Sequence, residues 1–431
     1  MNAKALERIY AGIILTIFWL IVLHAPLTVW LGSEFPGLSD VLKAWKEIFM
    51  LPAVMIAAVL MSRHNLWRVM FDDWLVRLII VYGALHLVML LVFWNGVSAT
   101  LAGLAIDLRY IVFFSLVYVL ISLYPAYRRP LIVVTLAGAM VVGLFALLQI
   151  TVLSRDVLTH IGYGSSTIEP YLTVDKNPDY VRINSTLRGP NPLGLYAGIV
   201  LSFVLAAVLH KRKQLSRWKY TAGVIALGAA VGLYASYSRS ALLAAFVAFG
   251  IIIFVSYGKR LSRKSWSLLA LAAVIIAIVF VAGRESNFVA NVILHDDPNT
   301  GSSVTSNDAH VSSLQNGLER FASQPLGSGI GSSGPASLYS DKPQIIENQY
   351  LLIAHEAGWL GLGLFVAIFV LIMERLWRAR SDWLALAIFA SGAGIALAGV
   401  LLPVWVDDTV AIIWWGGAGI IVGGYNAKHT R

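Results

Sequence analysis

The sequence predicts an all-α polytopic membrane protein, with about 12 transmembrane helices in a single integral membrane domain over residues 1–431. Three observations predict it. The chain is 58% hydrophobic and only 13% charged, with a mean hydropathy of +0.76, where soluble chains carry about 25% charge. Apolar stretches long enough to span a bilayer recur along its whole length. The basic residues fall in every second connection between those stretches.

In chain order the candidate spans are 10–31, 48–62, 77–95, 102–123, 131–153, 192–210, 219–236, 240–257, 266–283, 349–373, 383–405 and 409–424. The head "MNAKALERIY" runs straight into the first apolar stretch, as in a retained span rather than a cleaved signal. If the head is cytoplasmic, the cytoplasmic segments hold about two thirds of the 32 Lys and Arg, including "HKRKQLSRWK" and "GKRLSRK". Most of the 23 Asp and Glu lie elsewhere. This asymmetry puts both termini in the cytoplasm. The formal charge of +9 is thereby assigned to orientation and anionic headgroups, and nucleic acid is excluded as a partner. The lipid bilayer is the first partner. With no cysteine in the chain, disulfides, thiolate chemistry and Cys-based metal sites are excluded.

Two outer segments are long, 154–191 and 284–348, the second expected to form a large extracytoplasmic loop or lid. Outward-facing chemistry must come largely from them. Within the second, Val311, Leu314, Leu318 and Phe321 have helical spacing, and Pro325 with a glycine run ends that helix. The expectation is an amphipathic helix over the bundle followed by a flexible glycine loop.

Several polar residues stand at span ends. Arg239, in "SYSRSALLA", either anchors a turn by snorkelling or offers a bidentate fork to phosphate oxygens, with Ser238 and Ser240 beside it. Arg182 and Arg188, in "VRINSTLRGPNPLGLYAGI", precede the sixth span, where Asn191 is a candidate N-cap and the helix start suits an anion. Asp107 and Arg109 read either as a buried pair or, for Arg109, as a residue facing substrate. His310 is a solvated loop histidine or a proton shuttle.

"IIENQYLLIAHEAGWLGLG" carries Glu347, Asn348 and Tyr350 to the mouth of a span and Glu356 into it. Glu347 is a candidate general base, or simply a helix-start carboxylate favoured by the dipole. Glu356 and His355 are expected to hold helices together. The doublets Asp296–Asp297 and Asp407–Asp408 have no ligand spacing and read as solvated, so no metal or cofactor is expected.

"SRSALL" at a span start, then "LQNGLERFASQPLGSGIGSSG", then "ENQYLLIAHEAGWLGLG" resemble the O-antigen ligase and Wzy-type polymerase superfamily over about residues 180–370. The ligases carry "HNxYL" where this chain has Glu347, and an arginine where it has His310. That variant is closer to the polymerase branch. The resemblance implies a GT-C-like membrane enzyme of the bacterial inner membrane, with its site facing the periplasm. It implies metal-independent, inverting transfer from an undecaprenyl-pyrophosphate-linked oligosaccharide, with a chain-length regulator as a further partner. The implied roles are catalysis for Glu347 and His310, pyrophosphate binding for Arg239, Arg188, Arg182 and Arg109, and substrate orientation for Asn348, Tyr350 and Ser238. A ligase acting on lipid A-core is the alternative. A transporter of an anionic solute is the reading from another class; against it stand the lack of repeated halves and of paired Gly/Pro-interrupted spans.

Overall fold

Helices dominate because the bilayer leaves the backbone no other partner for its polar groups. The computed structural model describes residues 2–210, 218–258, 286, 306–341 and 343–429. In order its helices are α1 (Ala3–Leu20), α2 (His24–Glu34), α3 (Ser39–Lys43), α4 (Trp45–Arg63), α5 (Leu66–Asp72), α6 (Trp74–Val92), α7 (Val97–Leu123), α8 (Arg128–Thr151), α9 (Pro190–His210), α10 (Lys219–Ala235), α11 (Arg239–Tyr257), α12 (Ser306–Ser323), α13 (Gln349–Arg378), α14 (Trp383–Ala398) and α15 (Asp408–His429). The only sheet among the described residues is an antiparallel hairpin, β1 (Leu172–Val174) with β2 (Asn177–Arg182), pairing Leu172 with Arg182.

Among the described residues, eight helical segments are long and apolar enough to cross a membrane, and α10 and α14 are shorter apolar helices. This is an integral membrane protein. The expected span at 266–283 lies outside the described residues, as does Asp296–Asp297. α1 and α2 run on through a 3-10 turn as one segment of 32 residues.

Side chains start several spans. Asp73, Ser238, Asn348 and Asp382 each accept a backbone N–H from the first turn of α6, α11, α13 and α14, satisfying donors that a helix start leaves open. The core is aromatic. Trp414 and Trp415 of α15 are fully buried and pack with Tyr110, Phe365, Phe369 and Trp405 at ring separations of 4.9–6.3 Å. α15 lies along α7, and its Gly419 meets the backbone of Phe114, the close approach that small residues allow between membrane helices. α9, α11 and α14 form a second packed group.

Two features correct the sequence reading. The first is a break in α13. Gly358 takes φ 69°, ψ −174° in mid-helix, which interrupts the i→i−4 ladder. The second is what fills the break. The glycine segment expected to be a flexible loop is inserted beside it: Ser328 N–H donates to the His355 carbonyl (2.6 Å), Gly329 N–H donates to the Glu356 carbonyl (3.1 Å) and Trp359 N–H donates to the Pro325 carbonyl (2.9 Å). Asn95 also donates to the carbonyls of Ser328 and Ile330, both at 3.2 Å. Here the glycines serve close approach: a Cβ on Gly331 would overlap the Ala99 carbonyl.

The amphipathic helix is present as α12 but packs differently. Gly317 is buried against Leu351 of α13, and Trp359 Nε1–H donates to the Phe321 carbonyl at 2.8 Å. Leu314 and Leu318, expected to face the bundle, are exposed. The stripe was chosen by hydrophobicity, whereas the contact was chosen by the side that lets backbones approach.

Candidate functional site

Both long connections, the α10–α11 turn and the α14–α15 turn meet at one end of the bundle, the loop face. Ile183 N–H donates to the Ala235 carbonyl (3.2 Å), and Gln349 N–H donates to the Gly399 carbonyl (2.8 Å). Three groups of polar residues lie there.

The first group is an arginine cradle. Arg182 ends β2. Its Nε donates to the Ser236 carbonyl (2.8 Å) and its Nη2 to Asn191 Oδ1 (2.6 Å). Asn191, expected to be an N-cap, thus holds an arginine instead; α9 already begins at Pro190. Arg239 is the first residue of α11, and Asp175 in the hairpin turn acts on both arginine charges. Ser238 caps α11, its Oγ 3.4 Å from Ala241 N and 3.2 Å from Ser240 Oγ. The approach is tight: a Cβ on Gly194 would lie 2.7 Å from both Ala241 Cβ and Ser236 Oγ. Burial lowers the Arg182 guanidinium to about 10, Asp175 opposes this, and the like charge of Arg239 adds to it. Two guanidiniums beside the starts of α9 and α11, both made costly by burial, form a place that an anion stabilises.

The second group is the mouth of α13. Glu347 is half-buried, and its N–H donates to Ser313 Oγ (3.2 Å) on α12. α12 also carries His310 one turn earlier along its backbone; the His310 side chain lies outside the described residues. Asn348 is committed to structure, its Oδ1 accepting from Tyr350 N and Leu351 N and its amide donating to the Val400 carbonyl at 2.8 Å. The Tyr350 hydroxyl donates to the Ala396 carbonyl at 2.7 Å. Arg188 is exposed and close enough to Asp407 to act on it. Arg188 and the Glu347–Gln349 segment thus border the same 399–408 turn, while Arg182 and Arg239 stand at the neighbouring ends of α9 and α11.

The third group is a buried charge cluster that sequence reasoning divided wrongly. Asp107 and Arg109 do not pair. Arg109 pairs with Asp408, lies 3.7 Å from Glu47, and donates to the Val406 carbonyl, so its guanidinium serves these partners rather than the cradle. Lys46 Nζ lies 3.1 Å from Asp408, and His24 Nε2 lies 3.0 Å from it. Asp407 and Asp408, read as solvated, are both buried. Asp407, in the turn before α15, is pushed up to about 6. Burial raises it, the Val410 N–H lowers it, Asp408 raises it, and Arg188 and Arg109 lower it. Asp107 instead lies 3.9 Å from His86. Glu356 meets Asp107 of α7 side chain to side chain, and it also fastens the glycine segment, its Oε1 accepting from Ser333 N (2.9 Å) and Ser333 Oγ (3.3 Å). None of these partners was legible in the sequence, since Asp408 lies some 300 positions from Arg109. Among the described residues no group of three or more His, Cys, Asp or Glu has the arrangement of a metal site.

Residues 223–366, about a third of the chain, match the family model described as O-antigen ligase. Over these residues the chain is similar to the O-antigen ligase and Wzy-type superfamily. The match takes in Arg239, α12, the inserted glycine segment, Glu347 and the break in α13. Arg182 and Arg188 lie before it, yet the fold delivers Arg182 to the matched turn at Ser236. No curated protein matches the chain.

Proposed function

We propose that this O-antigen ligase or polymerase-type membrane enzyme is a glycosyltransferase that polymerises undecaprenyl-pyrophosphate-linked repeats into a surface polysaccharide. The observation that carries the reading is the meeting of Arg182 and Arg239, from segments distant in sequence, at one turn within the family match. The positive-inside asymmetry supports a periplasm-facing site in the bacterial inner membrane.

In the proposed reaction an acceptor sugar hydroxyl attacks the anomeric carbon of the donor. A new C–O bond forms with inversion, and the bond from that carbon to the diphosphate oxygen breaks. The electron pair leaves on the diphosphate, whose charge Arg182 and Arg239 stabilise most when it is fully developed, with Arg188 nearby. The hydroxyl proton passes to the Glu347 carboxylate, with His310 as the second candidate. The guanidiniums supply the charge that a divalent metal would otherwise provide. Asn348 acts by capping α13 just after Glu347, Ser238 by capping the helix that carries Arg239, and Tyr350 by fixing the first turn of α13 against α14.

Transfer to lipid A-core or another acceptor is the second reading, favoured by the family description of O-antigen ligase. Purified protein given a synthetic undecaprenyl-pyrophosphate oligosaccharide in EDTA decides between them. A ladder of products supports the polymerase; a single addition only when another acceptor is supplied supports the ligase. A wild-type rate in Glu347→Gln removes the proposed base.

A further inference from the structure

Two Tyr-x-Arg segments face each other across the arginine cradle. One is "YVR", Tyr180 to Arg182, on β2; the other is "YSR", Tyr237 to Arg239, at the α10–α11 turn. Along a strand, residues two apart share a face, so Tyr180 lies on the side of β2 that carries Arg182. The Tyr180 and Tyr237 rings meet edge to face at 6.2 Å, and Tyr237 meets Tyr234 at 5.7 Å. Tyr237 holds φ +46°, a conformation a side chain adopts at a cost and keeps only where its surroundings fix it, often at functional sites.

The row has a direction. Tyr234 is the outermost member of a stripe on α10 whose other exposed members are Tyr220, Val224 and Leu227, at helical spacing on one side. The opposite side of α10 packs on α8 and α9, so this stripe of an apolar helix points away from the described bundle, the side on which a membrane helix meets lipid. Tyr234 is 59% exposed there. Its ring touches Tyr237, whose ring touches Tyr180, and the arginines stand two residues beyond each of the last two. The row therefore leads from the lipid side of α10 to the guanidiniums.

We propose that Tyr234, Tyr237 and Tyr180 form the sill over which the polyprenyl tail of a lipid diphosphate enters, seating its first isoprene units while Arg182 and Arg239 take the diphosphate. The proposal rests on the donor site described above and deepens it. An amphipathic ligand with a doubly charged head and an unsaturated hydrocarbon tail is the chemistry that two cations beside a row of aromatic rings would take. Tyrosine suits the place because its ring packs against hydrocarbon while its hydroxyl stays at the wet interface.

The test is equilibrium binding to the purified full-length protein in mixed micelles, with two probes sharing a diphosphate: undecaprenyl diphosphate and inorganic diphosphate. The second has no tail. Tyr234→Ala and Tyr180→Ala are expected to weaken undecaprenyl diphosphate about tenfold, the loss of one well-packed contact, while inorganic diphosphate binds as before. Tyr234→Leu, which keeps apolar surface on an exposed stripe, restores most of the affinity. Equal weakening of both probes, or of neither, overturns the sill. Arg239→Ala binding both probes as wild type does overturns the donor site itself. The two failures are distinct, because the tyrosine effect is a ratio between probes and the arginine effect is common to both.

Discussion

Replacing Gly358 by alanine tests the inserted architecture of α13 against a control in the same helix. At φ 69°, ψ −174° the backbone occupies a region that is essentially confined to glycine, and forcing a side chain there costs about 1–3 kcal/mol. The added Cβ would also lie 2.7 Å from both Leu326 C and the Pro325 carbonyl oxygen. These are backbone atoms of the segment that fills the break, and they cannot rotate away. Overpacking of this kind costs typically about 1–3 kcal/mol, so Gly358→Ala should destabilise by about 2–6 kcal/mol. Gly363, five residues on in the same helix, has nothing within 4 Å of an added Cβ. Gly363→Ala should be neutral or stabilising by up to about 1 kcal/mol, the helix-propensity gain. The assay is thermal unfolding of both variants and wild type in one detergent, read by tryptophan fluorescence. Gly358→Ala melting with wild type would refute the break and the insertion together.

Three further outcomes follow from the buried charges and the cradle. Asp408→Asn leaves Arg109 and Lys46 with Glu47 as their one shared carboxylate and should cost about 2–4 kcal/mol in the same unfolding assay, short of the full penalty for an uncompensated buried charge. Asp407, raised to about 6 from 3.8, holds its proton more tightly folded than unfolded. Its contribution is fully present below the unfolded value and is lost as pH rises through about 6. Asp407→Asn should therefore remove a decline of about 3 kcal/mol between pH 4 and 7, and an unchanged pH profile in that variant would contradict the assignment. Arg182 carries a charge that burial makes costly and that a bound diphosphate would compensate. Arg182→Ala should therefore weaken diphosphate binding about tenfold or more, measured by titration, and wild-type affinity in that variant would contradict the cradle.

Helix positions were legible because bilayer length and apolarity act over short windows, and the residues at span mouths stood out as polar groups in apolar surroundings. What was not legible is what those groups touch. Arg109 sits two residues from Asp107, which made a pair plausible, yet its partner is Asp408, brought close only by the packing of α7 on α15. The acidic doublet looked solvated for the same reason: its neighbours Lys46 and His24 come from the first quarter of the chain. The glycine run was read as flexibility because glycine permits both freedom and close approach, and only the facing backbone at Ala99 and His355 decides between them. Gly358, in "EAGWLGLG", has neighbours in sequence that look like an ordinary span. Its positive φ follows from an insertion more than twenty residues upstream. Arg182 and Arg239 shared an expected role only through the family resemblance, while the hairpin that brings Arg182 to the Ser236 turn gave no period-2 signal beyond Tyr180 and Arg182.

The central claim is that the loop-face guanidiniums stabilise a departing lipid diphosphate. The most direct measurement is the single-turnover rate of Arg239→Ala, purified and confirmed folded by its unfolding temperature, with a saturating undecaprenyl-pyrophosphate-linked donor. The account predicts a rate lower by about a hundredfold or more, the usual loss when one donor to developing charge is removed. A rate equal to that of wild type would contradict it.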